Sequence, residues 1–415
     1  MSLTKFESAL KENGYTKLPV QTLGFLKTKA IKYRYSFQEI KQLLDIAIDF
    51  YMWEDLSLEL LWQDFSTKEK TFLHIKELWI KHKNSPRKYN NEFTTQHKNT
   101  KIKLTSTPKS NLGLGRCPVA SIKTRCCNLL TLDAVESCGF DCSYCAIQSF
   151  YNEGKVNFDI KFASKLKALK IDPNRTYHIG TGQSSDSLMW GNHEGVLDAL
   201  FSFAKANPNV ILEFKTKSNN IDYLLKNEIP KNILTTWSLN PQNIINHEEH
   251  RTANLESRIS SAKSIADKGN LVGFHFHPMV YHEGWETAYE AIAENLIETF
   301  KPSSVAMVSM GALTFIKPVI KKLRQRALKS KILQMPLEET NGKFSYTVKQ
   351  KEILFSHLYS AFSPWHEKVF FYLCMEEIDL WQKVFGYEYE DNEKFELAML
   401  KAYEAKVKGV KCTTF

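Results

Sequence analysis

The sequence predicts an α/β protein built on a partial (β/α)6 barrel, with an N-terminal helical extension and a C-terminal α-rich cover. Three observations carry that expectation. From Cys127 to about residue 315, short β-rich runs alternate with amphipathic helical stretches, the pattern of parallel βαβ units. Residues 1 to about 80 show only helical apolar spacing. After Leu313 the chain returns to helical patterns before an aromatic-rich end. The expected boundaries are 1–80 for the extension, 81–115 for a basic linker, 116–315 for the barrel and 316–415 for the cover.

Taken in order, Ile40, Leu43, Leu44, Ile46, Ile48 and Phe50 place apolar groups on helices that need something larger to pack against. The next stretch, rich in Lys, Asn, Ser and Thr, reads as a linker or loosely ordered arm. Between Lys81 and Ser110 it carries eight Lys or Arg against the single acid Glu92, a net of +7 in a chain whose formal charge is +9. Such a segment suits a phosphate backbone, because neutralising phosphates releases condensed counterions, and it suits a solvated linker equally. The expected strands are Leu129–Val135, Thr176–Gly180, Val210–Lys217, Ile233–Leu239, Leu271–Met279 and Val305–Met310. The helices between them are Asp159–Leu169, Glu194–Ala206, Leu255–Lys268 and Glu286–Thr299, followed by Lys317–Leu328 and Gln350–Ala361. Core packing accounts for most aromatics of the final SPWHEKVFFYLCMEEIDLWQKVFGYEY.

Composition is that of an ordinary globular enzyme, with 43% hydrophobic and 24% charged residues. No apolar run approaches the roughly 18 residues that span a bilayer, and the first residues, MSLTKFESALKENG, lack the apolar core of a signal peptide. The expectation is a cytoplasmic protein with no membrane partner. Eight cysteines, three of them grouped, fit a reducing compartment better than a disulfide framework.

Those three, Cys138, Cys142 and Cys145, fall in one short loop directly after the first expected strand. Soft thiolates at spacings of four and three suit an iron-sulfur cluster, whereas zinc usually recruits paired cysteines or histidines to reach four ligands. With only three thiolates, a four-iron cluster keeps one iron open to an outside ligand. In parallel sheets ligands sit at the carboxyl ends of strands. The other candidates lie there: the loop Gly180–Leu188 after the second strand, Lys215-Thr216-Lys217 after the third, Ser238-Leu239-Asn240 after the fourth, and His275 with His277 on the fifth. Side chains two apart on a strand share a face, so the two histidines should form a polar pair. His247, His250, His282 and Glu283 show no metal spacing. Cys126 and Cys127 precede the first strand and should lie about 20 Å from its far end, six residues rising roughly 3.3 Å each.

The loop CGFDCSYC resembles the Cys-x3-Cys-x-aromatic-Cys signature of the radical S-adenosylmethionine (SAM) superfamily, with Tyr144 in the aromatic position. LLTLDAVESCGFDCSYC, GTGQSSDSL, LEFKTKS, WSLNPQ, HRTANLESRI and GFHFHPMVYHEGW together resemble the spore photoproduct lyase family, and more closely its non-spore relatives. The resemblance implies a 4Fe-4S cluster on Cys138, Cys142 and Cys145 with SAM on the open iron. It further implies reductive cleavage of SAM to a 5'-deoxyadenosyl radical, an external electron donor, and a thymine-type photoproduct in DNA as substrate. By matching position, Ser185, Lys217, Ser238 and the backbone around His277 would contact SAM, and Tyr144 would lie against its adenosine. Gln183 stands where spore enzymes carry a hydrogen-donating cysteine, and Ala146 where they carry a tyrosine. Cys374, in FFYLCMEE, is a thiol that could fold back as a replacement donor. An enzyme on a non-DNA substrate and a catalytically silent iron-sulfur protein are the alternative readings.

Overall fold

The computed structural model describes residues 2–11, 15–54, 57–89, 101–117, 123–151, 154–326, 328–340 and 342–409. The chain divides into two compact units. One comprises residues 1–89, 281–283 and 315–344; the other comprises 90–280, 284–314 and 345–415.

The first unit is largely helical, with the strand Glu338–Thr340 near its end. Helices Ser2–Leu10, Val20–Lys32, Phe37–Trp53 and Lys68–Lys83 bury Leu26, Leu43, Leu44, Phe50, Trp53 and Ile75 in one core. The longest of them starts on a capping box, with Glu39 N–H donating to Ser36 Oγ and Ser36 N–H to Glu39 Oε2, which satisfies two otherwise orphaned donors. Helix Lys317–Gln325 belongs here too, burying Val319, Ile320 and Leu323, and Trp53 Nε1 donates to Gln334 O at 3.3 Å. The sequence-based boundary at 316 therefore does not coincide with the compact units: 315–344 packs with the N-terminal helices. Apolar periodicity says that a helix needs a partner, not which partner.

The second unit is organised on an eight-stranded sheet whose strands follow one another in space as in sequence: β1 Gly113–Arg116, β2 Leu130–Asp133, β3 Tyr177–Thr181, β4 Val210–Thr216, β5 Ile233–Ser238, β6 Val272–Met279, β7 Val305–Ala312 and β8 Phe370–Leu373. Only β1 runs antiparallel to its neighbour; every other pairing is parallel. Helices Val196–Ala206, Leu255–Asp267 and Trp285–Thr299 lie in the crossovers. Strand β5 is buried at every position, as expected when helices cover a parallel sheet.

Two expectations need correction. The 81–115 segment is not simply a linker. Lys103–Thr107 pairs in parallel with Lys155–Asp159, and Gly113–Arg116 is the edge strand β1. Its middle, 90–100, including Lys98, lies outside the described residues. Several of its described cations are engaged: Arg87 is buried, stacked 4.4 Å from the Trp53 ring centroid, and Lys109 pairs with Glu136 at 2.5 Å. In the C-terminal third, Phe370–Leu373 is not cover but an edge strand of the sheet. A fully buried run of four apolar residues has no period to distinguish strand from packing helix. No described helix is long and apolar enough to cross a membrane.

Candidate functional site

Strand β2 ends at Asp133, and after the two-residue strand Val135–Glu136 the chain enters the cysteine loop. Asp141–Cys142 pairs antiparallel with Glu249–His250, setting Cys142 opposite Glu249. Ser143 adds a backbone bond, its N–H donating to Glu248 O at 2.8 Å, and its hydroxyl meets the Glu248 carboxylate. Gly139 sits close under Met189 and Trp190: a Cβ there would lie 2.4 Å from Met189 Cε and 2.7 Å from the Trp190 ring, so a side chain would force both to shift. Cys142 is buried, Cys138 and Cys145 are half-buried, and Cys138 Sγ sits 3.9 Å from Met189 Sδ. Burial pushes the Cys138 and Cys142 thiols well above the usual range. Among the described residues no three His, Cys, Asp or Glu side chains converge as they would on a single metal ion. Thiolates on separate irons of one cluster are spaced more widely than the ligands of a single ion.

Glu249 organises the groups beside the loop. It is 1% exposed, and its Oε1 accepts from Tyr144 OH at 2.5 Å, Lys217 Nζ at 3.0 Å and Asn240 Nδ2 at 2.8 Å. Arg258 pairs with Oε2 at 2.7 Å. Burial alone would raise this carboxyl; Lys217 and Arg258 outweigh it and hold it well below the usual carboxylate range. Arg258 also donates to Ser238 O at 2.7 Å. Tyr144, Lys217 and Ser238, expected from the sequence, are thus tied together by Glu249, Asn240 and Arg258, which the sequence reading missed.

The loop after β3 is held by Asp186. Its carboxylate accepts from Thr216 Oγ1 and Lys217 N, each at 2.7 Å, and from the backbone of Leu188 and Met189, each at 3.0 Å. Gly182 takes φ +83°, and a Cβ there would meet Ser187 Oγ at 2.7 Å. Ser185 is buried, its Oγ accepting from Trp190 Nε1 at 3.2 Å, whereas Gln183 is exposed.

A second buried glutamate, Glu213 on β4, heads a chain of imidazoles. His178 Nε2 lies 2.8 Å from Oε2 and His275 Nε2 2.6 Å from Oε1, which also accepts from Thr236 Oγ1 at 2.7 Å. His275 Nδ1 is 2.6 Å from Ser309 Oγ, which is 3.1 Å from His277 Nε2; His277 Nδ1 is 3.5 Å from Lys215 Nζ. Burial, then Lys215, pushes His275 down to about 4 and His277 well below its usual value, so both rings are neutral near pH 7. Neutrality fixes the direction of donation. Lys215 donates to His277 Nδ1, His277 Nε2–H to Ser309, Ser309 O–H to His275 Nδ1, and His275 Nε2–H to Glu213. The expected histidine pair is present, with centroids 5.0 Å apart, as part of this longer chain.

Cys374 follows β8, its N–H donating to Met310 O at 2.7 Å. A Cβ on Gly311 would lie 3.6 Å from Cys374 Cβ and 3.1 Å from the His277 ring. Cys374 is thus at the carboxyl ends of the strands. The expected remoteness of Cys126 and Cys127 is corrected. Cys126 and Cys117 are electrostatic neighbours of Cys374, and Cys374 of Cys127. Arg125 N–H donates to Glu376 O at 3.1 Å, and Thr124 bridges antiparallel to Glu377. Strand rise along β2 alone does not register this pairing with the segment after β8.

These features define an α/β protein that carries a three-thiol loop, with buried charge clamps beside it, at the carboxyl end of a parallel sheet. The family model described as spore photoproduct lyase matches residues 130–358, more than half of the chain, and the chain belongs to that family. The curated spore photoproduct lyase of Geobacillus is 25% identical over 216 residues, 50% of this chain and 62% of the relative. That of Clostridium acetobutylicum is 25% identical over 223 residues, 52% of this chain and 64% of the relative. The matched stretch therefore spans less than two-thirds of the length of either. Two solved structures share the fold at 19% identity, covering 72% of this chain and 94% of theirs. One is a spore photoproduct lyase complexed with dinucleoside spore photoproduct, TM-score 0.55; the other is a mutant form with bound AdoMet and dinucleoside spore photoproduct, TM-score 0.54.

Proposed function

We propose that this chain is a radical SAM enzyme that acts on a thymine-type photoproduct in DNA from the mouth of a partial (β/α)6 barrel. The observation that carries the reading is the three-thiol loop, pinned by Cys142 opposite Glu249, with Lys217 and Tyr144 fixed on that same carboxylate. The donor set fits a 4Fe-4S cluster: three soft thiols in one tightly packed loop, with no fourth protein ligand in it. Bound there with SAM, the cluster supplies the electron that cleaves SAM to methionine and a 5'-deoxyadenosyl radical.

The chain's own residues bind and orient. Cys138, Cys142 and Cys145 would hold the cluster, whose coordination would keep the Cys138 and Cys142 thiols deprotonated against the rise that burial imposes. Lys217 presents an ammonium to a ligand carboxylate while Glu249 and Arg258 fix its place. Tyr144, locked through its hydroxyl, offers its ring to an adenosine. Ser185, Ser238 and the backbone at His277 are the remaining SAM contacts.

The named dinucleoside in the related structures supports the DNA lesion as substrate. Gln183 favours a second reading, a radical SAM enzyme on another substrate, because an exposed amide cannot return a hydrogen atom as a thiol does. The test is to reconstitute the cluster without oxygen, reduce it, and incubate with SAM and photoproduct-bearing DNA, measuring 5'-deoxyadenosine and restored thymine. Both products support the lesion reading. Deoxyadenosine without thymine moves the assignment to another substrate, and absence of both leaves an iron-sulfur protein without this chemistry.

A further inference from the structure

A cavity of about 570 Å³ opens within the helical unit, in the size range of small-ligand sites. Five cations line it, Lys17, Lys83, Lys317, Lys321 and Arg324, against two carboxylates, Asp45 and Asp49, an excess of three positive charges. The acids offset the cations only in part, Asp45 and Asp49 acting on Arg324 and Asp49 on Lys83. Tyr15 OH donates to Asp45 Oδ1 and Trp79 Nε1 to Asp49 Oδ2, each at 2.7 Å, and neither carboxylate makes an ion pair among the described residues.

Lys317 and Lys321 stand four residues apart on the exposed face of their helix. They make no hydrogen bond or ion pair among the described residues, while Val319, Ile320 and Leu323 of the same helix are buried. Lys17 is half-buried, its amine donating to Arg324 O. Burial, then the charge of Arg326, pushes that amine down to about 8. A solvated basic face spreads its charges outward, whereas these converge on a concavity at a repulsive cost that an anion removes. The rest of the wall is apolar: Ile48, Ile320, Met335, Leu337 and Phe344.

We propose that this cavity binds a nucleotide, free or within a nucleic-acid strand, with its phosphate against Lys17, Lys317 and Lys321 and its base or sugar against the apolar wall. Lysines serve phosphate as point charges that need no fixed fork geometry, and the apolar wall suits the flat, uncharged part of such a ligand. The proposal does not rest on the radical chemistry above, and its test requires neither cluster nor SAM.

Isothermal titration calorimetry of the full chain at low salt, with inorganic phosphate, dTMP and a short oligothymidylate as probes, tests it. The expected result is saturable dTMP binding that weakens with salt, is competed by phosphate, and exceeds the affinity for phosphate alone. K317A/K321A should weaken it by at least about tenfold, the loss of one charge-assisted hydrogen bond. Both lysines are exposed, so far-UV circular dichroism should not change, and K226A, at an exposed lysine of the sheet unit, should bind as wild type. Oligothymidylate binding tighter than dTMP identifies the strand as source; equal or weaker binding identifies the free nucleotide. No saturable binding of any probe, affinity unchanged in K317A/K321A, or dTMP no better than phosphate would overturn the proposal.

Discussion

Glu249 and Glu213 are both almost fully buried, 1% and 2% exposed, and both are held in the carboxylate form, yet their partners differ in kind. Glu249 faces the ammonium of Lys217 and the guanidinium of Arg258, with a hydroxyl from Tyr144 and an amide from Asn240 donating beside them. Glu213 faces His178 and His275, rings that can change tautomer or take a second proton. The first is a fixed electrostatic strut beside the cysteine loop, and the second ends a polarised chain that runs to Lys215. One arrangement holds the groups beside the cysteine loop still; the other can pass a change of charge along itself.

The isosteric amides break or sustain that contrast most directly. E249Q leaves buried Arg258 and half-buried Lys217 without their counter-charge and should cost about 3–5 kcal/mol, the penalty for breaking a buried pair. E213Q should cost less, about 1–3 kcal/mol, because His275 can switch tautomer and accept from the new amide. Urea unfolding of the two variants at pH 7.5, with wild type alongside, orders the costs. An E213Q loss equal to or larger than that of E249Q would show that the histidines are as rigid as the cations.

Acid titration gives the next effect. The folded pKa of His275, about 4, lies below its unfolded value near 6.5. The unfolded chain therefore takes the proton first, and the stability that neutral His275 contributes is present above pH 6.5 and lost as pH falls towards 4. The loss is about 3 kcal/mol across that window. His277, lowered for the same reason, adds in the same direction. Glu213 and Glu249 also lose stability on acidification, but only below the ordinary carboxylate range. Unfolding free energies at pH 7 and pH 5 should converge in H275Q relative to wild type, while E249Q keeps the wild-type slope. An unchanged slope in H275Q would remove the imidazole from the account.

Much of the scaffold for this contrast was legible in the sequence. Ile233–Leu239 was expected as a strand and Ile233–Ser238 is one, because a run of β-branched and aromatic residues bounded by Pro230 and Pro241 leaves little choice. The thiol loop and the strand-end positions of Lys217 and His277 followed from spacing and from where parallel sheets put their sites. The glutamates did not. Glu249 sits in HEEHR, which reads as a solvated polar run, and only its pairing opposite Cys142 makes it a hub. Glu213, the lone acid in VILEFKT, was the stronger signal: a carboxylate inside a buried strand demands partners. The non-local pairings, 124 with 377 and β8 with β7, bring together segments some 60 to 250 residues apart, which no local pattern encodes.

The smallest effect tests whether the softer arrangement is a chain at all. Ser309 links His275 and His277, its hydroxyl donating to one ring and accepting from the other. S309A removes one bond on each side, but His277 is only half-buried and water can take up part of the loss, so the cost should be about 1 kcal/mol. The informative readout is the imidazole 15N spectrum. If Lys215, His277, Ser309 and His275 polarise one another, S309A shifts the tautomer balance of both rings while the Glu249 clamp keeps its stability contribution unchanged. If only the nearer bond responds, His275 and His277 are two separately satisfied histidines. The difference between the two glutamates then reduces to the charge type of their immediate partners.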